Sequence, residues 1–395
     1  MTFLIRNRVF KDETLESYFI RLAHSNGFEK INLFLSSLNA FFIEYDIKLK
    51  GILPTALSRL NLYKAHNSSA YRVRAIKLLE EFCDLQPSSL LRVSVLRTNK
   101  HFGSYAALAR SNVLFPNIML REKVIPVCPE CLQEKSYIRF IWHLKPIQHC
   151  PKHHVKLIFN CPECGNDINY IQNENVELCS CGFDFRQIKP PNKIEESMSA
   201  SLFESPENAE HLSLEFGKYL WFSKRSGVEL DDECFLLKFN RYFSNWPDNY
   251  LSYLKTQESN AIEKQTSRFN QISVNDIWRD QLRNVKLSST DKVNNLVLEQ
   301  LTNYFIDLVR RYPKCEHANV ADTLINQVDS ALLLRTSVEQ VFRLLEDGYL
   351  RVKFGVPTEA IYKPHIPIFY LREVIELVQA QGANTTMSNH IISAW

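Results

Sequence analysis

Apolar residues recur every three or four positions over much of the chain, a spacing typical of helices that bury one face. In the N-terminal part this pattern predicts helices over 13–26, 30–48 and 70–84, with a shorter helix opening at Pro54. Asp12 or Thr14 can cap the first helix, and Gly27 is a natural stop for it. We therefore expect a helical domain at the N-terminus.

The turn DLQPSS joins two predicted helices into a pair. The first helix covers 70–84, and the second runs from Pro87 through Leu96. This pair resembles a helix-turn-helix in which Ser88 and Ser89 cap the second helix. In that interpretation the exposed, nucleic-acid-binding side chains are Arg92, Arg97 and Lys100. The alternative is a core helical hairpin with solvated charges.

The stretch 189–215 is rich in Pro, Ser, Glu and Asn, which favours a linker and a domain boundary. Helical spacing resumes from about 212, with aromatic residues at Phe216, Tyr219, Trp221 and Phe222.

Residues 328–354 hold a second candidate helix-turn-helix. A first helix ends over 331–333, Ser337 caps a second helix that Gly348 ends, and 350–353 suits a strand or wing. The candidate nucleic-acid contacts are Arg335, Ser337, Gln340 and Arg343. The negative charges of Glu346 and Asp347 oppose insertion of this helix into a DNA groove. A structural or protein-binding role therefore remains an alternative to nucleic-acid binding.

Composition supports a mainly α fold, because the chain has only 10 glycines where average usage gives about 28. Lys and Arg number 47 and Asp and Glu 44, for a net charge of +3. A protein that holds nucleic acid over its whole surface is usually far more basic. Any contact with nucleic acid should therefore be local or shared with a partner.

No secretory signal and no apolar run of the roughly 18 residues that a membrane span needs is visible. We therefore expect a cytoplasmic protein without membrane contact, in which clustered cysteines bind metal more often than they form disulfides.

Seven of the ten cysteines lie between Cys128 and Cys181, and with one histidine they form two four-residue sets. The first set is Cys128, Cys131, Cys150 and His153, and the second is Cys161, Cys164, Cys179 and Cys181. Each set is a pair, a loop and a second pair, which is typical of zinc-ribbon-like sites. With all four positions filled, each set predicts a structural Zn²⁺, hence two ions per chain.

His154 competes with His153 for the fourth position of the first set, and the Cys-x2-His spacing favours His153. His143, within an apolar stretch, suits a packing role, and Cys83, Cys234 and Cys315 are expected to be ordinary buried residues. The predicted domains are 1–122 (helical), 123–190 (double zinc finger) and 191–395 (helical).

Three stretches resemble the TniQ family of transposon target-selection proteins, which includes TnsD. They are the cysteine region with CPECL (128–132) and WHL (142–144), the stretch ETLESYFIRLAHSNGF (13–28), and FSNWPDNY (243–250). In the second stretch, five residues occupy the matching positions of the family's first helix: Glu16, Ser17, Arg21, Leu22 and Gly27. The spacing of the stretches is most similar to the short TniQ proteins of transposons that carry a type I-F CRISPR Cascade.

This resemblance implies a non-enzymatic adaptor for RNA-guided DNA transposition. It implies docking as a homodimer on Cascade, at the crRNA-processing endonuclease subunit and the adjacent backbone subunit with their guide RNA. It also implies recruitment of the AAA+ ATPase TnsC, with target DNA contacted indirectly.

Two other functions remain as alternatives. One is a direct, sequence-specific DNA binder that selects an attachment site, as TnsD does. The other is a zinc-dependent hydrolase, which requires an open metal position. The chain has no G-x4-G-K-[ST] phosphate loop and no G-x-S-x-G elbow, which excludes a P-loop ATPase and argues against an elbow-type serine hydrolase.

Overall fold

The chain divides into two units, Met1–Leu237 and Lys238–Trp395. The computed structural model describes residues 3–65, 69–189, 208–264 and 267–383. The predicted linker over 189–215 therefore falls mostly outside the described residues, and the predicted division into three domains remains a prediction. Every helix that the structure describes is too short or too polar to traverse a lipid bilayer.

The first unit combines short helices with one small sheet. Its helices are α1 (Leu15–Ser25), α2 (Ile31–Tyr45), α3 (Ser69–Phe82), α4 (Ser89–Val93), α5 (Pro129–Glu134), α6 (Tyr170–Asn173) and α7 (Ala209–Ser226). Its strands, β1 (Leu96–Phe102), β2 (Tyr105–Arg110) and β3 (Val113–Pro116), form an antiparallel sheet in that order. Helix α8 (Phe235–Ser244) crosses the division between the units.

The second unit is almost entirely helical. Its helices are α9 (Asp248–Glu263), α10 (Val274–Trp278), α11 (Gln281–Val285), α12 (Leu296–Arg311), α13 (Gln327–Leu333), α14 (Val338–Glu346), α15 (Thr358–Ile361) and α16 (Leu371–Ala383). Two-residue strands β4 (Leu324–Ile325) and β5 (Phe369–Tyr370) pair antiparallel. The predicted mainly α fold class is confirmed.

The predicted N-terminal helices are present as α1, α2 and α3. The Thr14 hydroxyl accepts a hydrogen bond from the Ser17 N–H and caps α1, while Gly27 follows its end with a φ of +81°. The short helix expected from Pro54 is a single 3-10 turn, Leu57–Arg59.

The helix predicted from Pro87 through Leu96 is wrong in its second half. Helix α4 ends at Val93, because Ser94 turns to an extended conformation and the chain then pairs with β2. Arg97 and Lys100 consequently lie on strand β1, not on a helix. A nucleic-acid-binding helix-turn-helix in this segment is therefore not shown.

The start of α4 is capped by a residue that the sequence pattern did not indicate. Ser88 has a left-handed φ of +65° and its side chain makes no capping bond. Instead, the buried Glu80 carboxylate accepts from the N–H groups of Ser88 and Leu90, at 2.9 and 2.7 Å. This corrects the expectation that Ser88 and Ser89 are the caps.

The pattern over 328–354 is matched by α13 and α14. The Ser337 hydroxyl accepts from the Gln340 N–H at 3.2 Å, as a cap does, and Gly348 follows the helix with a φ of +78°. The expected strand over 350–353 is reduced to one bridge, between Val352 and Phe369. The use of this pair as a helix-turn-helix stays a prediction.

We expect Glu80→Ala to destabilise the protein by about 2 kcal/mol, because it leaves N–H groups at the start of α4 without an acceptor. Urea unfolding of the full chain measures the change. Glu81→Ala is the matched control: its side chain is exposed on the same helix, and we expect a change within about 0.5 kcal/mol. Equal effects of the two substitutions would contradict the capping role.

Candidate metal centres

The first cluster consists of Cys128, Cys131, Cys150 and His153, whose ligand atoms all lie within 4.8 Å of one another. Cys128 is the residue before α5, and Pro129 occupies the first helical position, where its missing N–H costs nothing. Cys131 follows within the first turn, so both sulfurs point to one side. A tight turn closed by the bond from the His154 N–H to the Cys150 oxygen presents the other two ligands.

The separations within the first cluster suit a tetrahedral metal ion. The Cys131 and Cys150 sulfurs are 3.5 Å apart, and His153 Nδ1 lies 3.2, 3.4 and 3.7 Å from the sulfurs of Cys131, Cys128 and Cys150. A tetrahedral zinc with bonds of about 2.3 Å to sulfur sets two sulfurs about 3.8 Å apart. The cluster is therefore close to the size that such an ion requires.

Charged groups around the first cluster orient its ligands. His153 Nε2 lies 3.0 Å from Glu134 Oε1, so the ring directs Nδ1 at the sulfurs and its other nitrogen at a carboxylate. Such an outer carboxylate fixes the tautomer of a metal-binding histidine. Arg139 Nε donates to the Cys131 sulfur at 3.1 Å, which stabilises a thiolate there.

The thiols of the first cluster differ in acidity because they are hydrogen-bonded to one another. Hydrogen bonding to the thiols of Cys131 and Cys150, followed by burial, raises the pKa of Cys128, whereas hydrogen bonding to the thiols of Cys128 and Cys131 lowers the pKa of Cys150. A bound divalent cation would favour the thiolate at all three cysteines, because the thiolate is the form that binds metal.

The second cluster consists of Cys161, Cys164, Cys179 and Cys181, again with all sulfurs within 4.8 Å. The Cys161–Cys181 and Cys164–Cys179 pairs are 3.8 and 3.6 Å apart. Gly165 closes the first turn with an N–H bond to the Cys161 oxygen at a φ of +73°, where a side chain would be strained. Both clusters are thus compatible with binding one metal ion each.

The other histidines and cysteines lie outside the clusters. His143 is buried, its Nε2 is 3.1 Å from the Tyr170 hydroxyl, and burial lowers its pKa to about 3, which confirms the packing role. Cys83 is buried as predicted, but Cys234 and Cys315 are exposed, which corrects that expectation. Both exposed thiols lie outside helices and strands, where apolar spacing gives no signal.

The predicted nucleic-acid contacts are distributed over both units. Arg92, Arg97 and Lys100 are exposed in the first unit, on α4 and β1. Arg335, Ser337 and Arg343 are exposed in the second unit and Gln340 is half-buried, at the turn before α14 and on that helix.

Polar contacts that the sequence pattern does not indicate hold the first cluster to α1. Glu13 is fully buried and forms two 2.7 Å bonds with Arg21. Ser17 donates to Glu13 at 3.0 Å and accepts from the Ile138 N–H, also at 3.0 Å. The only available signal was the occurrence of Ser17 and Arg21 in the stretch 13–28, which does not reveal their partners.

Residues 4–157 match the model of the TniQ family. The match includes α1, its polar contacts and the first cluster, and it ends before Cys161. No curated protein matches the chain. The resemblance to the TniQ family is thereby confirmed for residues 4–157.

We expect Cys128→Ser and Cys164→Ser each to release a metal ion and to unfold the surrounding segment, because each substitution removes one of four ligands. Elemental analysis and thermal melting of the purified protein measure both effects. Cys315→Ser, an exposed thiol outside the clusters, should leave both unchanged. A normal metal content and melting curve in Cys128→Ser would contradict the prediction.

His153→Asn should also deplete the first centre, whereas His154→Asn should not. His154 is exposed with a φ of +58°, and Asn tolerates that conformation better than most residues. Metal content and X-ray absorption distinguish the two variants. Loss of the nitrogen ligand in His154→Asn alone would show that the ligand had been assigned wrongly.

Proposed function

We propose that this protein is a non-enzymatic target-selection adaptor for DNA transposition. The observation that carries the proposal is the match of residues 4–157 to the TniQ family. The two clusters support it, since each offers four protein ligands and thus no position for a reactive water. A zinc-dependent hydrolase would need such an open position.

We infer that each cluster holds Zn²⁺ in a structural role. Tetrahedral sets of four thiolate or imidazole ligands are typical of structural zinc sites. The cluster residues and their outer partners Glu134 and Arg139 would hold the ion and orient its ligands. The ion supplies rigidity, and no chemical step passes through it.

The finer assignment follows the spacing of the motifs, which resembles that of short TniQ proteins from type I-F systems. In this proposal the cytoplasmic protein docks as a homodimer on Cascade, at the crRNA-processing endonuclease subunit and the adjacent backbone subunit. It then recruits TnsC to the target DNA. In this proposal the guide RNA recognises the target sequence by base pairing. The adaptor itself then needs little positive charge, which agrees with its net charge of only +3.

A second candidate function is direct recognition of an attachment site in DNA. It is favoured by the two-helix segment α13–α14, whose Arg335 and Arg343 are exposed. Helix-turn-helix proteins place such side chains against base edges in the major groove.

Co-expression decides between the two functions. We expect the tagged protein to co-purify with Cascade and its guide RNA, and the purified protein alone to give no specific gel shift with duplex target DNA at 150 mM salt. Cys128→Ser should abolish co-purification, whereas Cys315→Ser should not. Failure to co-purify, together with tight and specific binding of duplex DNA, would contradict the adaptor role and support the second function.

A further inference from the structure

Two runs of sequence in the first unit contain several basic residues and no acidic residue. Residues 47–79 contain Lys48, Lys50, Arg59, Lys64, Arg72, Arg74 and Lys77, and residues 85–121 contain Arg92, Arg97, Lys100, Arg110 and Arg121. The net charge of +3 conceals this segregation, because the acidic residues lie elsewhere in the chain.

The fold brings the two runs side by side. The Tyr63 N–H donates to the Val95 oxygen at 2.9 Å, and Arg97 Nε donates to the Tyr63 oxygen at 2.6 Å. The Asn61 side chain accepts from the Val95 N–H at 2.7 Å. The 3-10 turn Leu62–Lys64 of the first run is therefore bonded to the beginning of β1 in the second run.

A groove of about 640 Å³ lies between the two runs, and Arg59, Lys64 and Arg97 line it. None of these three forms an ion pair with any residue that the structure describes. Glu122 is the acidic residue in the groove lining. The groove therefore presents unneutralised positive charge to an anionic ligand.

Two buried arginines of the runs support the groove instead of facing it. Arg72 Nη1 donates to the Arg59 oxygen at 2.8 Å and holds the turn that carries the Arg59 side chain. Arg110 donates to the oxygens of Lys11 and Glu13 at 3.0 and 2.8 Å. Arg72 and Arg110 are buried, whereas Arg59 and Arg97 are exposed and Lys64 is half-buried, so the groove cations are a separate and more accessible set.

The groove also offers an aromatic ring and uncharged polar groups. Tyr63 lines the groove, and the Lys64 ammonium lies 5.3 Å from the centre of its ring. A smaller cavity of about 110 Å³ opens beside Tyr63 and is lined by Asn61, Asn169 and the Glu16 carboxylate, among others. Tyr63 is half-buried. Cations beside a partly exposed aromatic ring are typical of sites for unpaired nucleotides, whose bases stack on the ring.

We propose that this groove binds single-stranded RNA, with Arg59, Lys64 and Arg97 on phosphates and Tyr63 under an unpaired base. RNA suits the lining better than DNA does, because the Glu122 carboxylate can accept a hydrogen bond from a ribose 2′-hydroxyl. The inference is independent of the adaptor role, since it rests on the charge pattern and the groove alone.

The test is fluorescence anisotropy of the full chain with a labelled 20-nucleotide RNA of mixed sequence, at several salt concentrations. We expect Arg59→Gln with Lys64→Gln to weaken binding about tenfold near 150 mM salt and to reduce the salt slope by about 1.4, at roughly 0.7 for each lost phosphate contact. Tyr63→Leu should weaken binding by a factor of about five or more, whereas Tyr63→Phe should keep the stacking.

The matched control is Lys255→Gln with Lys264→Gln, which removes two exposed charges from the second unit and should leave RNA binding unchanged. Equal affinity of the groove double variant and this control would overturn the proposal. Equal or tighter binding of single-stranded or duplex DNA of the same sequence would overturn it as well.

Groove-dependent RNA binding by a protein that does not co-purify with Cascade would support the groove and contradict only the adaptor role. Co-purification without RNA binding by the free protein would overturn the groove alone.

Discussion

Four ligand atoms held at tetrahedral spacing are the constraint on which the segment 123–189 depends. This segment has helices of only six and four residues, and its extended parts meet at isolated bridges such as Val127–Ile158 and Asn160–Asp167. So little regular structure provides few other links among the three buried sulfurs and the imidazole of the first cluster. A metal ion bound there would be the strongest local link, which is why removal of one ligand should unfold the whole segment.

The first cluster is also joined to the N-terminal helix. Arg139 bonds both the Cys131 sulfur and the Asp12 carboxylate, and Asp12 lies just before α1. Ser17 and the ion pair of the buried Glu13 with the partly buried Arg21 continue this connection to the backbone at Ile138. Loss of one partner of a buried pair costs about 3–5 kcal/mol, because the other charge is left uncompensated. Within the stretch 13–28, Ser17 and Arg21 thus both match the TniQ pattern and hold the cysteine segment in place.

The protein is nearly neutral overall, but the separation of basic from acidic residues in its first unit creates a local site for an anionic ligand. The buried Arg72 and Arg110 bind backbone carbonyls, and Arg59, Lys64 and Arg97 line a groove open to an anionic partner. A chain of this kind can bind phosphate locally while most of its surface stays available for protein contacts. Such a division of surfaces suits an adaptor that assembles several macromolecules, each of which recognises a different face.

The sequence by itself determined the helices α1 to α3, the Ser337 cap and both ligand sets, because apolar period, capping residues and cysteine spacing act within a few residues of one another. Only the tertiary structure decided the strand that carries Arg97, the Glu80 cap, the packing of α7 on β3 through Phe115 and Phe216, and the groove. Each of these depends on a contact between residues that are distant in the chain. The residues next to a side chain in the sequence do not specify such a contact. It depends on which surfaces from distant segments are buried against each other in the fold.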